Sequence, residues 1–207
     1  MDKALAYTTA EVAFVLREPI KAVRKALDEG PVEAKLVRKP GGARPVREVA
    51  WADLIYLFAV QSLRDELTPK ARLEFYHALK SARVDRAREV RFGRLSVAID
   101  DLKAELEQRA RQLSELAEKV EFRKDGEAIL RGTTIEAHRI AALLAGGMAA
   151  SDVRRDYPSL TDKQIATAKA YAEAYPKSGR PYPAKTVKRA VKGAGLEALD
   201  EVLDEEA

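Results

Sequence analysis

The sequence predicts a mainly α chain with short β-hairpins, and three observations predict it. First, apolar residues recur every three or four positions in short stretches bounded by Thr, Pro and Gly, as capped helices require. Second, two pairs of β-prone runs flank tight turns, one at Gly41-Gly42 and one at Asp125-Gly126, which is the hairpin signal. Third, a longer amphipathic run opens at Asp100 or Asp101 and carries Leu102, Leu106, Ala110, Leu113 and Leu116 along one side. These elements divide into an N-terminal winged helix-turn-helix over 1–67 and a helical linking or dimerisation region over 68–118. A small three-helix, helix-turn-helix-like domain over 119–176 and a tail over 177–207 complete the chain.

Thr8, followed three residues later by Glu11, has capping-box spacing and opens the first helix. Val12, Val15 and Leu16 form its apolar stripe. Arg17-Glu18-Pro19 starts a second helix, with Pro19 at the first helical position. Ile20, Val23 and Leu27 face inward there, and Lys21, Arg24, Lys25 and Asp28 face outward. Gly30-Pro31 ends that helix. Two runs, 32–38 and 44–49, then flank the Gly41-Gly42 turn. The hairpin carries Lys39 and Arg44 at its tip, with Arg38 and Arg47 close behind. Two short helices, the second basic on its outer face, followed by a cationic wing, are what a DNA reader needs. The expected contacts are Arg17, Lys21, Arg24, Lys25, Arg38, Lys39, Arg44 and Arg47, on double-stranded DNA, with the protein acting as a dimer.

Trp51 begins a third helix, with Trp51, Leu54, Ile55, Leu57 and Phe58 as core. Thr68-Pro69 begins a fourth, bearing Leu73, Phe75, Tyr76 and Leu79. The basic stretch 83–94 holds a strand at Glu89–Phe92, paired with Ser96 to Ile99. Beyond the long helix, a hairpin is expected around Asp125-Gly126. Thr134 is placed to cap the next helix, which carries Ile140, Leu143 and Leu144 and stops at Gly146-Gly147. Ser151 is placed to cap a short helix with Val153, and Thr161 a third with Ile165, Ala168, Ala172 and Ala174.

Over 119–176 several spaced features occur in one order: Arg131-Gly132-Thr133-Thr134-Ile135, then Gly146-Gly147, then Asp156-Tyr157-Pro158-Ser159-Leu160-Thr161. This stretch resembles the small antitoxin domain of VapB-type antitoxins from type II toxin–antitoxin systems, with Thr134 where that family often has Arg. The layout over about 5–67 resembles the winged helix-turn-helix of MerR-like regulators and the N-terminal domain of longer VapB-type antitoxins. The resemblance implies an antitoxin that represses its own operon and neutralises a PIN-domain ribonuclease, a Mg²⁺-dependent enzyme with a carboxylate cluster.

Charge is segregated along the chain. Residues 15–47 hold nine Lys or Arg against four acids; 176–193 hold six and no acid; 197–206 hold six acids and no base. A cationic tail is the electrostatic complement of a carboxylate site. The expected toxin contacts are Arg180, Lys185, Lys188 and Arg189 as cations. Pro181 and Tyr182 would provide a stiff aromatic anchor, and Leu196 and Leu199 an amphipathic helix for a groove.

The chain has no cysteine and only two histidines, His77 and His138, which removes disulfides and Cys- or His-rich metal sites. No apolar run approaches the ~20 residues that span a bilayer, and the start has no h-region. A cytoplasmic, non-enzymatic protein without metal or cofactor is expected. The alternative is a stand-alone MerR-like transcription regulator whose second half senses a ligand or dimerises.

Overall fold

The computed structural model describes residues 6–38, 45–177 and 182–184. They fall into two compact units, Met1–Glu115 and Leu116–Ala207. The fold is mainly helical, with short antiparallel strand pairs.

The first unit begins with a strand that local patterning did not reveal, β1 (Ala6–Thr8). It is followed by α1 (Thr9–Leu16), α2 (Ile20–Glu29), β2 (Lys35–Val37) and β3 (Val46–Ala50). The sheet order is β1-β3-β2, with Ala6 opposite Ala50 and Leu36 opposite Arg47. β3 therefore sits between a strand from the chain's beginning and its own hairpin partner. Thr8 ends β1 and caps α1 in one step. Its backbone N–H donates to Glu11 Oε2 at 2.7 Å, and its hydroxyl accepts from Glu11 N–H at 3.3 Å. The reciprocal capping box is as the Thr8–Glu11 spacing requires. Pro19 proves to be the residue before α2 rather than its first member, with its carbonyl accepting the first turn's amides.

α3 (Trp51–Ser62) and α4 (Pro69–Ser81) pack on one another, and α4 supports the hairpin β4 (Glu89–Phe92)–β5 (Leu95–Ala98). Phe75 of α4 lies 6.0 Å from the Tyr56 ring and 5.2 Å from Phe92. Leu54, Ile55, Phe75, Leu79, Ile99 and Leu106 are fully buried, each contributing roughly 1.5–3 kcal/mol of apolar transfer. Of the apolar residues on α4, Phe75, Tyr76 and Leu79 are buried and Leu73 is exposed. Trp51 is half-buried, its ring 6.1 Å from Tyr7 of β1.

One charge enters this core. Asp53 is 1% exposed and accepts from Lys80 Nζ at 3.1 Å. The same Lys80 ammonium lies 5.7 Å from the centre of the Tyr76 ring, so it meets the carboxylate on one side and an aromatic face on the other. α5 (Asp100–Glu118) follows, with two acids in its first turn, where the helix dipole favours them.

The second unit is a hairpin and three helices: β6 (Val120–Phe122), β7 (Ala128–Leu130), α6 (Ala137–Ala145), α7 (Ala150–Asp156) and α8 (Asp162–Ala174). Val120, Leu130, Ile140, Leu143, Val153, Ile165, Ala168 and Tyr171 make its core. α6 packs chiefly on α8. Small residues at 168 and 174 allow close approach, and Tyr171 fills the remaining volume.

Two expected caps are corrected. Thr134 does not cap α6; its neighbour Thr133 donates to Leu130 O at 2.8 Å and accepts from Ile135 N–H at 3.1 Å. That closes the turn after β7, and α6 starts later, from Glu136. Ser151 lies inside α7, whose cap is Ala149. Thr161 does cap α8, in a capping box with Gln164. α6 ends in a Schellman pattern: Gly147 at φ 86° donates to Leu144 O and Met148 to Leu143 O.

Candidate nucleic-acid interface and the segment docked on the second unit

The turn between α1 and α2 is built on an unusual residue. Arg17 is left-handed, at φ 56° and ψ 39°, a conformation that costs a non-glycine residue roughly 1 kcal/mol. Its amide donates to Phe14 O at 3.2 Å and that of Glu18 to Ala13 O at 3.0 Å, closing α1. Gln61 of α3 pins the turn by donating to Glu18 Oε1 at 2.8 Å.

α2 turns Val23 and Leu27 into the core and leaves Lys21, Arg24, Lys25 and Asp28 in water. Four-residue spacing of the apolar pair dictates this, since one helical stripe cannot also bury the positions between. Asp28 accepts a hydrogen bond from Arg47 of β3, which fixes the base of the hairpin to the end of α2 and partly neutralises Arg47. Lys25 lies 3.9 Å from Glu29, both side chains largely exposed. Such a pair is weak and leaves the cation accessible. Among the described residues Arg17, Lys21, Arg24, Lys35 and Arg38 have no ion pair. Arg17, Lys21, Arg24, Lys25, Arg38 and Arg47 are thus all solvent-facing on the helix-turn-helix or the hairpin. Lys39 and Arg44 lie outside the described residues.

On the second unit the expected anchor Tyr182 is seen against its own domain. Its hydroxyl donates to Glu136, lies 3.2 Å from Glu127 Oε2, and accepts from Lys177 Nζ at 2.7 Å. Lys177 reaches Glu127 Oε1 at 2.5 Å and stands 4.3 Å over the Tyr182 ring. Arg139 donates to Pro183 O at 3.0 Å. Ala184 lies so near Gly146 that a Cβ there would come within 2.5 Å of its carbonyl oxygen. The Lys177 ammonium beside Glu127 holds that carboxyl below its usual range. Burial, then the hydrogen bond to Glu136, raises the Tyr182 phenol. Arg123 bridges Asp125 and Glu136, and its guanidinium brings the Asp125 carboxyl down to about 2.

The sequence had singled out Tyr182 but not its partners Glu127, Glu136 and Lys177. They lie up to 55 positions away, and no local pattern joins them. Arg180, Pro181, Lys185, Lys188, Arg189, Leu196 and Leu199 lie outside the described residues. His138 Nε2 donates to Tyr175 O, 2.7 Å away, and the ring meets the Tyr171 ring edge-on, so it ties the end of α8 to α6. A half-open groove of about 460 Å³ between α6 and α8 is lined by Ala141, Leu144, Ala145, Lys169, Ala172 and Glu173. Among the described residues no cluster of three or more His, Asp or Glu could hold a metal ion, and no helix is long and apolar enough to cross a membrane.

No curated protein matches this sequence. The X-ray crystal structure of Rv2018 from Mycobacterium tuberculosis is similar at 15% identity, over 81% of this chain and 98% of that one, with a TM-score of 0.25. Residues 123–172, within the hairpin and three helices of the second unit, match the family described as a protein of unknown function, DUF433.

Proposed function

We propose that this chain is a VapB-type antitoxin. Its first unit binds operator DNA as a dimer and represses the operon. Its second unit and C-terminal segment bind and neutralise a PIN-domain ribonuclease. The observation that carries the DNA half is α2, which keeps Lys21, Arg24 and Lys25 in water while Val23 and Leu27 are buried, beside a hairpin anchored to it through Arg47 and Asp28. A helix so presented fits a major groove, and the flanking cations fit phosphates. The antitoxin half is supported by the resemblance of the 119–176 stretch. Replacing Arg24 and Lys25 by Ala should abolish operator preference in a binding titration at physiological salt; undiminished binding would remove α2 from the interface. A chain ending at Pro176 should still bind DNA and fail to inhibit the toxin's ribonuclease activity. If it inhibits as well as the full chain, the region around Arg131 to Ile135 becomes the neutralising element.

One observation favours a second reading. Tyr182 to Ala184 is seated on the second unit's own surface, as suits a stand-alone regulator whose last segment completes a sensing or dimerising domain. Co-purification with a ribonuclease encoded beside it separates the two.

A further inference from the structure

The β4–β5 hairpin and the turn before it play no part in the reading above, yet they hold a concentrated cationic surface. Residues 83–94 contain Arg83, Arg86, Arg88, Arg91 and Arg94, no lysine, and two acids, Asp85 and Glu89. All five arginines are exposed. Only two have acidic partners: Arg91 donates to Glu89 Oε1 at 2.7 Å, and Arg88 stands 3.7 Å from Asp100 with its side chain 91% exposed. Among the described residues Arg83, Arg86 and Arg94 have none.

These side chains stand on a fixed frame. Arg86 and Ala87 amides both donate to Arg83 O at 2.9 Å, which closes the turn. Lys103 of α5 clamps that turn by donating to Ala87 O at 2.6 Å. Val90 and Phe92 are buried while Glu89 and Arg91 alternate outward. Gly93, at φ 55°, makes the two-residue hairpin turn that thrusts Arg94 to the tip. The four residues of β4 separate the Arg83–Arg86 turn from the Arg94 tip by roughly 13 Å at ~3.3 Å per residue. That is comparable with the ~12 Å width of a B-DNA major groove.

We propose that this hairpin is a second phosphate-contacting surface of the first unit, gripping the backbone of duplex DNA at two points about a groove width apart. Arginine alone at these positions suits the task, since a planar guanidinium matches phosphate oxygens in pairs and an ammonium does not. The proposal rests on the DNA-binding reading and adds contacts that carry no sequence information.

The test measures binding of the full chain to its operator duplex and to a scrambled duplex across a salt series. The Arg83→Ala/Arg86→Ala/Arg94→Ala variant should lower the slope of log K against log salt by about two to three units, since each lost phosphate contact removes nearly one. Operator and scrambled affinities should fall by the same factor. Arg94→Ala alone, at an exposed hairpin tip, should lower the slope by about one and guards against misfolding of the triple variant. If both variants keep the wild-type slope while Arg24→Ala/Lys25→Ala loses operator preference, the hairpin surface is refuted and the DNA-binding reading stands. If the wild-type chain binds neither duplex, both fall.

Discussion

Both units follow a short helix with a tight turn, and they close that helix differently. α6 ends on Gly147 at φ 86°, where glycine adopts the left-handed conformation without strain. α1 ends on Arg17 at φ 56°, where a side chain must be forced into it. The outer faces of the helices beyond these turns differ as well. α2 presents Lys21, Arg24 and Lys25 with its acids at its end, whereas α7 sets Arg154 and Arg155 between Asp152 and Asp156. The second unit is thus built for its interior, and the first accepts backbone strain where a cation meets solvent. A strained non-glycine residue of this kind motivates a functional hypothesis, here that the Arg17 guanidinium belongs to the DNA surface.

The largest way to break the comparison is through the second unit's interior. Leu143→Ala, at a fully buried position, should cost about 3 kcal/mol. Hydrogen exchange should show protection lost across α6, α7 and α8; equal loss in α1 and α3 would show that the two units unfold as one. Next is the charge inside the first unit. Lys80→Ala leaves Asp53, 1% exposed, without its ammonium. It should cost about 2 kcal/mol in denaturant unfolding, short of a fully buried pair because the lysine is itself part-exposed. No change would mean that the carboxylate is satisfied without Lys80.

Arg17→Gly sharpens the contrast directly. It should stabilise the chain by about 0.5–1 kcal/mol through relief of the left-handed strain. It should also lower the salt slope of duplex binding by about one unit. Stabilisation with unaltered binding would reduce Arg17 to a poorly chosen turn residue. The smallest effect concerns Glu127. Its folded-state carboxyl is depressed by Lys177, so the tether contributes above the ordinary Glu range and is lost as pH falls through the depressed value. Amide or Tyr-ring NMR signals of Tyr182 should therefore hold from neutral pH down into that range and shift below it. A change centred near neutral pH would exclude Glu127 as the cause.

The capping box at Thr8, the cap at Thr161, the Asp125-Gly126 hairpin and the inward faces of α2, α6 and α8 were legible because each is fixed within four residues of chain. Thr134 and Ser151 misled because a hydroxyl near a helix start is a cap only if the backbone bends there; Thr133 took the turn instead. β1 was hidden because its partner β3 lies over forty positions on, with Ala6 against Ala50. Of the candidate sites, the cations of α2 could be read from spacing alone. The setting of Tyr182 could not, since its partners come from the residue before β7, the cap of α6 and the stretch after α8.

Arg109, in the middle of α5, donates to Val15 O at 2.9 Å and lies 4.8 Å above the Phe58 ring. Val15 belongs to the last turn of α1, where carbonyls lack helical partners and no basic residue is supplied locally. The guanidinium therefore acts as a C-cap delivered from 94 residues away. A fragment cut after residue 67 keeps every element of the helix-turn-helix and loses this closure of α1, just before the Arg17 turn that sets α2. A fragment meant to test DNA binding should accordingly retain α5, because the closure of α1 depends on Arg109.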